Sequence, residues 1–584
     1  MNLNIEQREA VATNGSICVR ACPGSGKTRT IVAKLFRCIE EVSETPRRVA
    51  CLTYTHAAVE EIEKRLREYG STDEEEYAEI GTIHSFCLTN ILQPFHYLLP
   101  ELRAGFEVIP PEADQWHQLV EDLAEKYALD HGRLDSFATV HRRPDHTLFV
   151  PPDIPDAAAA QLVAYLDSHG LVSFSDIVYH STRLVAKASQ IARGLACRFA
   201  WMLVDEFQDT SEGQVVILRA IAGHSKTRFF LVGDPNQSIM GFAGAHPRLM
   251  ETFPKEIGAK TEVVLPGNYR CSRKIVSHAE RLIQTKPGMR AVGNWKGFGV
   301  EPQLFHVEGR TNGIFEYFLP AVDELGISLG ESAVLAPWWL PLYQLARDLR
   351  ERGIPVLGPG ARPYRRSRLF ASFAEHLCAY TEDKDSDLFR GSQRALFLML
   401  LNLSTDPNWQ VFSYEGRRCL CSIAGMAQAA RDHYDGQATE WLRLVALQVT
   451  SALIENEFLS TDLSHVLPES VEDMIRDMVR NKVDTANLHI SDLGLYARPR
   501  DCMQLLTMHG SKGREFDAVA IVDLHDGRLP HFARRTQDEY DESRRQLYVG
   551  ITRARKLLMY FTDSSHTRNR PSPFLAEMGL VSSE

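Results

Sequence analysis

The run Ala21-Cys22-Pro23-Gly24-Ser25-Gly26-Lys27-Thr28 places two glycines, a lysine and a hydroxyl between an apolar strand candidate, Ile17 to Arg20, and an amphipathic helix candidate, Lys27 to Glu41. Those residue types in that order suit phosphate binding. Backbone N–H groups freed at Gly24 and Gly26 wrap phosphate oxygens, and the helix N-terminus adds positive potential. Lys27 reaches the β- and γ-phosphates, and Thr28 holds Mg²⁺. The pattern opens on Ala21 where a glycine is usual. A second signal, Asp205-Glu206-Phe207-Gln208-Asp209-Thr210, follows the apolar run Met202-Leu203-Val204. Two carboxylates leaving a strand end suit phosphoryl transfer, with Asp205 holding Mg²⁺ through water and Glu206 orienting and deprotonating the attacking water. ATP and Mg²⁺ are the cofactors this pairing predicts.

Elements that position these groups alternate along the chain. Arg48 to Tyr54 reads as a strand, and Val59, Ile62 and Leu66 give Ala57 to Tyr69 a helical spacing. Further strands are expected at Trp201 to Asp205 and Phe229 to Gly233, with ligands bound outside their carboxyl ends. Pro110-Pro111 and Pro151-Pro152 break the stretch from Ile91 to Gly170, which reads as an insertion. A second α/β signal runs from Ala333 to Leu335 and resumes at Gln504 to Met508, Ala518 to Asp523 and Leu557 to Tyr560, around a helical run from Tyr380 to Leu495. The expected units are a first core in two parts (1–90 and 173–265) with an insertion over 91–172, and a second core in two parts (266–380 and 499–584) with a helical insertion over 381–498. The acidic run Thr72 to Glu76 reads as a solvated loop.

At 584 residues, 44% apolar, the chain can bury several cores. With 65 basic against 76 acidic residues, a net charge of −11 rules out a general cationic coat, so any nucleic-acid contact must be local. Eleven scattered cysteines, without a CxxC, imply reduced thiols and a cytoplasmic setting rather than zinc or iron–sulfur. A polar N-terminus and the lack of a ~20-residue apolar stretch predict a chain neither secreted nor inserted in a membrane.

Several further motifs, in order, carry a resemblance. Asn4 to Ala10 centres on Gln7. Thr53-Tyr54-Thr55-His56-Ala57-Ala58, Gly81-Thr82-Ile83-His84-Ser85-Phe86 and Val232-Gly233-Asp234-Pro235-Asn236-Gln237-Ser238-Ile239 follow, then Asn268-Tyr269-Arg270. Thr507-Met508-His509-Gly510-Ser511-Lys512-Gly513-Arg514-Glu515-Phe516 and Tyr548-Val549-Gly550-Ile551-Thr552-Arg553-Ala554 complete the series. With the two phosphate signals, the chain resembles the UvrD/Rep-like branch of superfamily 1 helicases over nearly its whole length. The resemblance implies an α/β fold of two RecA-like P-loop NTPase cores, parallel sheets with flanking helices, each with a mainly helical insertion. It implies ATP-dependent translocation on single-stranded or tailed DNA, 3′ to 5′. Gln7 would read adenine and Tyr269 stack on it, with Gly24, Ser25, Gly26, Lys27, Thr28, Arg29 and Glu515 completing the nucleotide site. Gln237 would sense the γ-phosphate. Arg270 and Arg553, from the second core, would stabilise charge on the transferring phosphoryl group beside Lys27, Asp205 and Glu206. Thr53, Tyr54, Thr55, Thr82, His84, Phe242 and His509 are the implied DNA contacts. Phe86 can equally be core, and Arg362, Arg365, Arg366 and Arg368 can meet a phosphate backbone or form a solvated face.

Some family positions are altered. Ala57 stands where a lysine is usual, Met240 and Ala243 where a tyrosine and an arginine are, and Ser543 for the second acid of a pair, leaving Glu542. ATP chemistry is expected intact, with grip on DNA weakened. Thirty residues follow Ala554, too few for a fused nuclease, so cutting is expected from another polypeptide. The Gly81 to Phe86 region followed by Leu92-Gln93-Pro94-Phe95 is similar to the helicase-like subunit of Gabija anti-phage systems. That finer resemblance implies a separate nuclease partner of the overcoming-lysogenization-defect type. Two functions follow: an autonomous 3′ to 5′ helicase, or a DNA-end-sensing ATPase that gates a nuclease. A stand-alone DNA repair helicase is the remaining alternative.

Overall fold

Alternate residues along the four inner strands of the first core enter two different hydrophobic clusters. Ile17, Val19, Cys51, Trp201, Leu203, Phe230 and Val232 pack on one face; Cys18, Ala50, Leu52, Met202, Val204, Phe229 and Leu231 pack on the other. A strand with both faces apolar needs helices on both sides, which favours a parallel sheet. The chain is described by a computed structural model over residues 2–70, 76–111, 113–129, 131–224, 226–403, 409–532, 534, 536–565 and 569–580. Of the acidic run from Thr72, only Glu76 lies within the described residues.

The first sheet has six strands in the spatial order Val264–Leu265, Ile17–Ala21, Arg228–Gly233, Phe199–Val204, Arg48–Thr53, Ala78–Thr82. All are parallel, so their carboxyl ends share one edge. The second sheet, also parallel, runs Gln303–Val307, Ala554–Asp563, Phe516–Ile521, Ser332–Ala336, Met503–Thr507, Val356–Leu357. Its faces alternate in the same way, with Leu335, Leu506, Val519 and Ile521 on one side and Val334, Leu505, Ala520 and Met559 on the other. The chain is thus an α/β protein with two RecA-like cores.

Each interruption has its own apolar cluster. In the first, helices Asp114–Lys126 and Asp156–His169 bury Trp116, Val120, Leu123, Leu162 and Leu166, and a short hairpin pairs His141–Arg142 with Leu148–Phe149. In the second, helices Ser386–Leu401, Tyr414–His433, Ala438–Glu455 and Val466–Arg480 surround Trp441, whose Nε1 donates to the Ala427 carbonyl at 2.8 Å. Helix Ala371–Glu382 packs into this same cluster, so the helical unit takes in residues ahead of the expected start at 381. No helix among the described residues is long and apolar enough to cross a membrane.

Candidate functional site between the two cores

The turn after Ile17–Ala21 needs backbone that only glycine adopts readily: Gly24 and Gly26 have φ of +63° and +79°. Gly24 also lies under the second core, since a Cβ there would come 2.7 Å from Arg270 Cβ. Its carbonyl accepts from the Tyr269 N–H at 2.8 Å. Gly24→Ala is therefore expected to destabilise the fold by about 1–2 kcal/mol from the left-handed backbone alone. A urea melt reads this as a lowered midpoint, and an unchanged midpoint would show that the turn relaxes freely.

Around this turn the expected nucleotide residues converge on one cleft of about 610 Å³, lined by Gln7, Gly24 to Arg29, Glu206, Gln237, Tyr269, Arg270, Glu515 and Arg553. Gln7 caps the helix Ile5–Ala12 reciprocally with Asn4 and donates from Nε2 to the Ser25 carbonyl at 3.0 Å. The Asn4 amide in turn donates to the Tyr269 hydroxyl at 2.9 Å, so both sides of the expected base pocket are tied together. Asp205, the next strand's acid after a neighbour, is buried and does not line the cleft openly; its carboxylate accepts the Glu206 N–H at 2.9 Å.

Glu206 has φ of +49°, a left-handed conformation that costs a non-glycine residue about 1–3 kcal/mol and clusters at functional sites. It turns the carboxylate back onto the P-loop, where Lys27 Nζ donates to Oε2 at 2.9 Å and Gln208 Nε2 donates at 2.5 Å. Burial works against both carboxylates. At Asp205, burial and then Glu206 raise the pKa; at Glu206, Lys27 and Lys512 outweigh burial and hold it ionised. The two neighbouring carboxylates are thus held differently, Glu206 charged against the P-loop lysine and Asp205 buried behind it.

The segment Gln237 to Gly241 is held by the second core at nearly every residue. Arg553 donates to Gln237 Oε1 at 2.9 Å and Lys512 to the Gln237 carbonyl at 2.7 Å. Arg545 donates to the Ser238 carbonyl at 2.8 Å, His509 bonds the Ile239 carbonyl at 3.1 Å, and the Gly241 N–H donates to Glu542 at 3.0 Å. Gln237 Nε2 donates back to Asp234 at 2.6 Å. Hydrogen bonds therefore tie the cleft wall at Gln237 and the segment after it to the second core. Lys512 also pairs with buried Asp209 at 2.5 Å, and burial pushes that acid up to about 6 against the pull of the lysine. Glu515 is held near 2 because Arg270, and then its bond to Arg555, overcome burial.

Among the implied DNA contacts, Tyr54, His84 and Phe242 line a separate cleft of about 620 Å³ at the other half of the same sheet edge. Burial and then Asp209 push the Tyr54 hydroxyl up to about 12, so it stays a neutral ring. Phe242 is 43% exposed and meets the His509 ring edge-on at 5.7 Å. Thr53 is buried with its hydroxyl unpaired among the described residues, whereas Thr55 and Thr82 use theirs to cap helices His56–Tyr69 and Ile83–Cys87. Phe86 is core, packed on Phe199 at 5.6 Å. Missing from the sequence reading are His141, Arg143 and Phe149, which close the cleft from the hairpin of the first insertion. Their signal was the turn Pro144-Asp145-His146 between basic and apolar pairs. Glu542 is engaged by Gly241 and by Arg534, while Ser543 is buried and turns its hydroxyl to the Glu539 carbonyl.

Two parallel-sheet cores meet at the P-loop cleft, and the comparisons give the class: the chain carries UvrD/Rep-type helicase domains of the ATP-dependent DNA helicases. Residues 3–258 match the UvrD/REP helicase N-terminal domain and residues 423–565 the UvrD-like helicase C-terminal domain. The ATP-dependent DNA helicase Rep of Escherichia coli is 24% identical over 643 aligned positions, covering 99% of this chain and 94% of that protein. The ATP-dependent DNA helicase PcrA of Staphylococcus epidermidis is 23% identical, and DNA helicase II of Escherichia coli 25%, each over 99% of this chain and 86% and 87% of their own lengths.

Proposed function

We propose that this chain hydrolyses ATP between its cores to move 3′ to 5′ along single-stranded or tailed DNA. The observation that carries the reading is the coupling segment Gln237 to Gly241, which joins the first core's γ-phosphate side to Arg553 and Lys512 of the second. In this arrangement Lys27 neutralises Glu206. A nucleotide's terminal phosphates compete for that lysine, and the freed carboxylate then serves as base for the attacking water. Arg553 and Arg270 stabilise charge on the transferring group, and Tyr269 with Gln7 takes the base.

Mg²⁺ fits the donor set present: a buried carboxylate at Asp205 and the hydroxyl of Thr28 are hard oxygen ligands. The buried Ser25 hydroxyl lacks a partner among the described residues. When bound with nucleotide, the metal would neutralise phosphate charge.

Single-strand binding rests on exposed rings beside cations. Tyr54, His84 and Phe242 supply rings on one wall, and Arg143 and Phe149 supply a cation and a ring on the other. Phe242→Ala is expected to weaken binding of a single-stranded oligonucleotide by about 1–3 kcal/mol, roughly 5- to 150-fold. Fluorescence anisotropy measures it, and equal affinity would take Phe242 out of the path.

The reading as a whole is tested by unwinding of 3′-tailed and 5′-tailed duplexes with ATP. Separation of the 3′-tailed substrate alone supports it; separation of the 5′-tailed one alone reverses the polarity. A second reading is favoured by Ala57, Met240 and Ala243 together with the Gabija-like stretch through Phe95: an ATPase that senses DNA and gates a separate nuclease in anti-phage defence. Stimulated hydrolysis without unwinding, with a nuclease copurifying on the tagged chain, is its expected signature.

A further inference from the structure

The helix Ile5–Ala12, which carries Gln7, is held differently at its two ends. At its start the Asn4 amide donates to the Tyr269 hydroxyl at 2.9 Å, and Arg290 pairs with Glu6 at 3.1 Å. Tyr269 and Arg290 stand beside Cys271 and Met289, which pack into a cluster of the second core. The last turn of the helix has no basic residue of its own. The final carbonyls of a helix lack partners within it and carry its negative dipole end. Here a cation reaches them from another element: Lys34 Nζ donates to the Val11 carbonyl at 3.2 Å and to the Thr13 carbonyl at 2.5 Å.

Lys34 lies on the P-loop helix Lys27–Val42, seven residues past Lys27, and is 1% exposed. A buried ammonium normally has a carboxylate beside it. Among the described residues none pairs with Lys34. Glu41, seven residues further along the same helix, is taken by Arg228 and by the Trp201 indole N–H, the latter at 3.0 Å. The ammonium has instead two carbonyls and the face of Trp201, whose ring centre is 4.2 Å away. Burial draws the lysine down to about 8. An apolar side chain would fill the same place without that penalty, so what the lysine adds is its tie to the two carbonyls.

We infer that Lys34 is a positioning residue for the base of the bound nucleotide: it fixes the end of the helix Ile5–Ala12 to the P-loop helix, and thereby places Gln7. The Gln7 amide donates to the Ser25 carbonyl inside the P-loop, so the helix and the phosphate turn are joined at two points, Gln7 to Ser25 and Val11 with Thr13 to Lys34. Lys34 itself does not line the nucleotide cleft. It therefore acts on the base side through Gln7, and not on the phosphates. The inference rests on the ATP reading above and adds to it the residue that holds the base-reading helix.

The test compares wild type, Lys34→Met and Lys34→Arg in titrations with ATP and with inorganic tripolyphosphate, which has the phosphates without the base. Lys34→Met is expected to weaken ATP binding by about tenfold, less than the full worth of a hydrogen bond to a charged group because the start of the helix stays tied. Tripolyphosphate binding should be unchanged, and in steady state the loss should fall on KM with kcat kept. Lys34→Arg, whose guanidinium can donate to both carbonyls, should restore ATP affinity. Amide hydrogen exchange adds a readout without nucleotide: in Lys34→Met the amides of Ile5–Ala12 exchange faster while those of Lys27–Val42 keep their wild-type rates. Lys34→Gln, which keeps a polar end without the charge, carries the same expectations if the methionine variant does not fold. Equal loss of ATP and tripolyphosphate affinity overturns the inference, since the P-loop itself would then be disturbed. Unchanged ATP affinity does so too, as does a folded Lys34→Arg that recovers none of it. A wild type that binds neither ligand refutes the functional reading instead, and this inference with it.

Discussion

Glu206→Gln is expected to slow DNA-stimulated ATP hydrolysis by about 10²–10⁴-fold while nucleotide affinity is kept, a barrier increase of about 3–5 kcal/mol. The amide has the carboxylate's shape, and its oxygen can still accept from Lys27 and Gln208, which now donate at 2.9 and 2.5 Å. What it loses is the ability to take a proton. The strained left-handed backbone at Glu206 is as tolerable to Gln as to Glu, so the fold should hold. Steady-state rates with a fluorescent-nucleotide titration separate the two effects. A rate within tenfold of wild type would place the base elsewhere, and lost nucleotide binding would make Glu206 a support for Lys27.

Arg553→Lys has the second large effect. The guanidinium is buried and spans acceptors from three directions, the Val549 carbonyl at 3.0 Å, the Arg514 carbonyl at 3.2 Å and Gln237 Oε1 at 2.9 Å. Burial, and next the neighbouring Arg270, disfavour its charge, so the fork of acceptors is what keeps it in place. An ammonium keeps the charge but cannot reach all three. Since an arginine in this role is worth about 10³–10⁵ in rate, a loss of at least about 10³ is expected in single-turnover hydrolysis. The change in DNA affinity between nucleotide-free and nucleotide-bound protein should shrink as well, because of this guanidinium's three bonds the one to Gln237 crosses the cores, beside the crossings made by Lys512, Arg545 and His509. A variant that hydrolyses slowly but changes its DNA affinity with nucleotide as much as wild type would separate catalysis from coupling.

Both central sheets were legible in the sequence because their inner strands are apolar on both faces, as in Met202-Leu203-Val204 and Ala518 to Ile521. The strands that escaped notice, Val264–Leu265, Ala78–Thr82, Gln303–Val307 and Val356–Leu357, are the four sheet edges. Edge strands are short or half-polar, and Ala-Glu-Ile-Gly-Thr carries little of the pattern that marks a buried strand. At the site, Lys27, Glu206, Gln237 and Arg553 were readable from motif order, and the cleft brings them together.

The partners across the cores were not readable in that way. Asp209 pairs with Lys512 over 303 residues of sequence, and Glu542 meets Gly241 over 301. No local pattern encodes such a pairing. The same holds for the arginines near 365, where composition alone could not tell that Arg362 is locked by Glu375 and Arg368 by Asp473 and Asp477. The helix-capping bonds of Thr55 and Thr82, residues whose motif positions suggested DNA, were not read from the sequence either.

The ratio of ATP hydrolysis rates with and without single-stranded DNA, taken for wild type and for Glu206→Gln, tests the link between the two clefts most directly. Coupling through Gln237 to Gly241 predicts strong stimulation in the wild type and a low rate with or without DNA in the variant. A wild-type rate that DNA leaves unchanged would contradict it, since the nucleotide cleft and the strand cleft would then be independent.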